Sequence, residues 1–170
     1  MTLAERLASL TPDDQGALAR REAAAAGGAE LIGALRLPDL GEWARLHIVH
    51  ELTHRGPSLV EQIAGALLER PLGPGTVELR EALVQLFDSE PAVRGSVVRA
   101  LVEAGAAALD AGGGTLEAGG YVTQLADCVK LGGPLPEVAP LARRLLAVAE
   151  AEPQPSLFVV SAAKQLAGPG

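Results

Sequence analysis

Residues 50–54 read His50-Glu51-Leu52-Thr53-His54, and His47 stands three positions upstream, so one short segment holds every histidine of the chain. Two histidines four apart share a helix face and can present ring nitrogens to one Zn²⁺ at about 2.0–2.1 Å. A glutamate directly after the first histidine can take a proton from zinc-bound water, whose pKa the metal lowers to about 7. Such a set would direct hydroxide at an amide or ester.

Helix geometry sharpens the pattern. With Trp43 as reference and about 100° per residue, His47, His50 and His54 all fall within about 40° of it. Ile48, Val49 and Leu52 point roughly the other way, and Glu51 sits off to one side of the histidine stripe. The spacing therefore predicts a helix with an aliphatic face and an imidazole row beside a tryptophan.

These five residues resemble the zincin metallopeptidases. The resemblance implies zinc, with His50 and His54 as ligands and Glu51 as general base. A third ligand is then required, and no histidine follows His54. A glutamate on a later helix, as in the gluzincins, would be Glu78 or Glu81, with Glu61 and Glu69 less well placed. His47 is the other candidate, although positions 47–54 span about 10 Å of one helix, more than a single ion bridges easily. The sequence departs from the family where Arg55-Gly56-Pro57 follows at once, and where no edge strand is available to hold a peptide. The same stripe also reads as a solvated polar face, or as half-buried imidazoles bonded to carbonyls.

The elements that must position this segment are helical. Pro38 to Arg55 is predicted as one helix, stopped by Gly56-Pro57. Before it, Thr11-Pro12-Asp13-Asp14 has the chemistry of a helix start, leading through Arg20-Arg21 into the alanines at 23–26. After it, apolar residues recur at helical spacing over 57–70, 75–88, 91–110, 115–131, 136–151 and 155–167. No segment alternates with period two long enough to make a strand. The fold class is all-α, with about eight or nine short helices in a single domain over 1–170. Residues 1–56 hold the N-terminal helices. Over 57–167, helix pairs begin near Pro57, Pro91 and Pro134, a spacing similar to that of HEAT and armadillo repeats. The expected architecture is a stack of helical hairpins (an α-solenoid) or an irregular helical bundle.

Composition narrows the function. The net charge is −7, with 14 basic against 21 acidic residues and four aromatics. This disfavours nucleic acid, which needs basic surface and stacking platforms. No apolar run is long enough to span a bilayer, no signal peptide is visible, and Cys128 has no partner for a disulfide. A cytoplasmic protein is expected, and twelve arginines against two lysines suggest a GC-rich bacterial source. Gly112-Gly113-Gly114-Thr115 lacks the ending of a phosphate loop and reads as a helix stop followed by a Thr N-cap. Cys128 reads as a buried core thiol. The leading expectation is a non-catalytic helical-repeat module that binds a protein or peptide partner and needs no cofactor. The rival is a small zinc hydrolase built on His50, Glu51 and His54, with Glu78 or Glu81 completing the site.

Overall fold

The computed structural model describes residues 1–10 and 17–169. Among them there are ten α-helices and no strand. They are α1 (Leu3–Ala8), α2 (Ala17–Ala25), α3 (Gly28–Leu35), α4 (Glu42–His54), α5 (Leu59–Glu69), α6 (Thr76–Ser89), α7 (Arg94–Asp110), α8 (Gly119–Gly132), α9 (Ala139–Ala151) and α10 (Leu157–Ala167). The expected helix start at Thr11–Asp14 lies outside the described residues. The short Leu3–Ala8 helix accounts for the count above the expected eight or nine. It is fixed by a capping box in which Thr2 accepts from the Glu5 amide while the Glu5 carboxylate accepts from the Thr2 amide.

Successive helices pair as hairpins: α1 with α2, α3 with α4, and so on to α9 with α10. Each even-numbered helix also packs on the next even one, and each odd one on the next odd one. The result is one row of odd-numbered and one row of even-numbered helices, compatible with a helical-repeat architecture. The pairing runs through the whole described chain and is not confined to 57–167. One buried cluster extends from Leu3 to Ala167, with Leu31, Ile48, Leu52, Ile63, Leu83, Phe87 and Tyr121 among its sealed members. Leucine, valine and alanine dominate it, as a chain with few aromatics requires.

Prolines open two of the hairpins in the same way, with one shift from the expected frame. Pro91–Val93 and Pro136–Val138 are both 3-10 turns that lead directly into α7 and α9. The residues preceding them, Glu90 and Leu135, have nearly the same backbone angles, φ −126° and ψ 84° and 81°. Val93 and Val138 are buried at equivalent places. The equivalent of Pro91 is therefore Pro136, not Pro134.

The local boundaries of α4 and α6 matter most for the site. α4 begins at Glu42, four residues later than the expected Pro38, because residues 37–40 form a turn closed by the Leu40 amide donating to the Leu37 carbonyl. Gly75 enters α6 with φ 77°, a left-handed conformation that glycine adopts without a side-chain penalty. A Cβ at this position would run into the Leu35 carbonyl, so the start of α6 lies against the end of α3. Thr115 is not an N-cap. Its amide and hydroxyl donate to Glu152 at 2.7 and 2.6 Å, its oxygen accepts from the Ser156 amide at 2.8 Å, and α8 begins only after Ala118.

Candidate functional site

The histidine helix has the predicted polarity. Ile48, Val49 and Leu52 are buried, whereas Trp43, His50 and His54 are exposed and His47 is half-buried. The His50 and His54 rings lie 4.2 Å apart, tilted by 47°. His54 Nδ1 is 2.8 Å from the His50 carbonyl, so this nitrogen donates back to its own helix. Burial pushes the His47 pKa down, and the neighbouring Arg20 and His50 act in the same direction.

The three glutamates of the zinc reading go elsewhere. Glu51 Oε1 accepts from Arg55 Nε at 3.0 Å. Arg55 Nη2 in turn donates to the Ala23 and Ala24 carbonyls at 3.0 and 3.3 Å, closing the C-terminal end of α2. Glu78 Oε1 accepts from Arg45 Nη1 at 2.9 Å. Arg45 also donates to the Leu35, Leu37 and Leu40 carbonyls, joining α4, α6 and the turn after α3. Glu81 is exposed, and burial followed by the nearby Glu78 raises its pKa.

Glu78 and Glu81 share a hollow of about 370 Å³ with Glu42, Trp43, Leu46 and Val77. His50 opens instead onto a hollow of about 240 Å³ beside Arg20 and His47. His54 opens onto a third of about 470 Å³, lined by Asp88, Ser89 and Glu90. Among the described residues, no three His, Cys, Asp or Glu side chains converge to hold a metal ion. His50 and His54 come together as the sequence implied. The donor set of a closed or open zinc site does not assemble around them: Glu51 and Glu78 are held by arginines, Glu81 faces another hollow, and Asp88 and Glu90, which line the hollow of His54, do not converge with the imidazoles on one point.

The three hollows are parts of one seam between α4 and α6. Gln85 lines all of them, and Leu46 and Val49 line the first two. Trp43 is 60% exposed, Leu46 56% and Val77 50%, an apolar group at one end of the seam. Exposed carboxylates stand along it: Glu42 and Glu81 at the apolar end, Asp88 and Glu90 at the His54 end. Sequence reasoning placed Trp43 on this stripe but missed Leu46 and Val77. The signal was present in the spacing: Leu46 is one turn from Trp43 and from His50, hence on the same face.

The chain was compared with protein-family models, curated proteins and solved structures. None matches. The site must be read from its own chemistry. Cys128 adds nothing to it, since it is fully buried and burial, then Asp127, pushes its thiol pKa to about 12.

No helix among the described residues is long and apolar enough to cross a membrane.

Proposed function

We propose that the protein is a non-catalytic helical module that binds a segment of another protein along the α4–α6 seam. The observation that supports this is the trio of exposed apolar side chains, Trp43, Leu46 and Val77, gathered over one hollow and ringed by carboxylates. Exposed aromatic and aliphatic groups clustered in a groove are what a docking site provides. Glu42, Glu81, Asp88 and Glu90 select the partner by charge: a segment with an apolar anchor flanked by lysine or arginine. The net charge of −7 acts in the same direction at long range.

Trp43 is the sole tryptophan and lies in the seam, so it reports occupancy directly. A short peptide with a central leucine flanked by lysines should shift Trp43 emission to the blue and saturate. A glutamate-flanked counterpart should bind at least about tenfold more weakly. Equal response to both peptides, or none at millimolar concentration, overturns the reading.

A further inference from the structure

Arg80 is the one charged side chain classed as buried among the described residues, 8% exposed. It occupies the core-facing side of α6 beside Leu79 and Leu83, turned toward α8 and away from the α4–α6 seam. Its guanidinium carbon stands 5.1 Å from the Tyr121 ring centroid. Nε has no hydrogen-bond partner, and no carboxylate among the described residues forms an ion pair with the guanidinium. Glu78 is engaged by Arg45, and Glu81 points to the exposed face one position on.

The surroundings make this charge harder to hold. The guanidinium packs against Gly120, where any Cβ would clash with Nη1, Cζ and Nη2. Gly120 is the second residue of α8, a helix of 14 residues that has no acidic residue in its first turn and no side-chain cap. A helix start carries roughly half a positive charge and is ordinarily matched by an anion or an acidic residue. Here a full positive charge meets that partial one, and although Glu81 and Glu78 are near enough to favour the charge, neither forms an ion pair with it. Nε is a buried donor left unmet, while Nη1 and Nη2 keep some access to solvent. Burial lowers the Arg80 pKa, yet an arginine stays protonated at neutral pH, so the charge is not relieved by titration.

We propose that Arg80 and the first turn of α8 form an oxyanion-binding site, accepting a carboxylate or phosphate group at the guanidinium edge. The planar fork of arginine and the Gly119 and Gly120 amides at the helix start both match such a group, while the Tyr121 amide already donates to the Ala118 carbonyl. Binding here is independent of the α4–α6 seam, because it reads out on α8 and not on Trp43. The overall negative charge disfavours diffuse accumulation of anions, so a saturable response identifies a built site.

The test uses the full chain, isotope-labelled, titrated with acetate and separately with inorganic phosphate at constant ionic strength, with chloride as control. The expected result is saturable movement of the Gly119, Gly120 and Tyr121 amide signals by one or both oxyanions and not by chloride. At ten times the half-saturating concentration, Tm should rise by about 3–6 °C. R80M should fold, lose the response and be at least as stable as the parent without anion, since an apolar side chain suits the site. R80K should keep the charge but bind about tenfold more weakly, lacking the fork. The acetate and phosphate arms distinguish a carboxylate from a phosphoryl ligand. Equal shifts with chloride, shifts mapping elsewhere, or an undiminished response in R80M would overturn the proposal. If R80M does not fold, the wild-type map and R80K decide alone.

Discussion

Arg45 Nη1 and Glu78 Oε1 meet at 2.9 Å across the α4–α6 joint, and both side chains are about four-fifths buried. The contact does two things. It removes Glu78 from the donor set available to the histidines, and it fixes the end of the seam where Trp43 and Val77 face each other. Because Arg45 also bonds three carbonyls, Leu35 at the end of α3 and Leu37 and Leu40 in the turn after it, its replacement uncovers several acceptors at once. R45M should destabilise by about 2–4 kcal/mol, and E78Q by about 1 kcal/mol. In a double-mutant cycle followed by urea unfolding, the pair should show a coupling of about 1 kcal/mol. Additivity within error would mean that the two groups do not act together.

The glutamate of the His-Glu-x-x-His segment is held in an ion pair within its own helix. Glu51 orients Arg55, and Arg55 closes α2. E51Q should therefore lower stability by about 0.5–1.5 kcal/mol, measured by thermal unfolding, with R55M costing at least as much. Chelator treatment should leave Tm unchanged. Stoichiometric zinc that disappears in H50A and H54A would restore the metallohydrolase reading.

Acid should act first through His47. Its folded pKa lies below the ordinary imidazole value, so the unfolded chain binds the proton more readily. The associated stability is present above the unfolded pKa and is lost as pH falls through the imidazole range toward the folded value. H47Q should flatten that part of the pH–stability curve, read as Tm between pH 7.5 and 5. An unchanged slope would mean that His47 is not depressed.

Glu81 runs with the opposite sign. Its folded pKa is raised, so ionised Glu81 is a modest burden at neutral pH that vanishes as the carboxyl protonates. E81Q should stabilise at pH 7 by no more than about 0.5 kcal/mol, with the gain disappearing in acid. The same substitution should weaken the lysine-flanked peptide several-fold at pH 7. As pH falls through the raised carboxyl range, wild-type affinity should drop toward that of E81Q. A tighter complex with E81Q would contradict the assigned charge preference.

The helices were legible in the sequence because apolar spacing and Gly-Pro punctuation are local signals. The polarity of α4 followed from the same arithmetic: Ile48, Val49 and Leu52 went inward and the histidines outward. The fate of the carboxylates was not legible, since it depends on which arginine the fold brings near. Arg55 lies four residues from Glu51 and could have been suspected as its partner on helical spacing. Arg45 meets Glu78 only after the intervening helix α5 has turned the chain back, and nothing in either local sequence announces it. Thr115 looked like a cap because its neighbours are glycines, whereas its partner Glu152 belongs to the loop between the last two helices. Arg80 left a readable trace, a charge inside the apolar frame of Leu79, Leu83 and Leu86, where a hydrophobe was due.

The pairing of each helix hairpin with its immediate neighbours also bears on how the molecule comes apart. A stack held together by adjacent contacts loosens joint by joint, with no need for one global event. A partner seated at the joint between α4 and α6 would brace the second hairpin against the third while leaving α9 and α10 as free to open as before. Amide hydrogen exchange should then slow on both sides of that joint and fade with distance along the stack. Occupancy would be written into the protein as a gradient of protection.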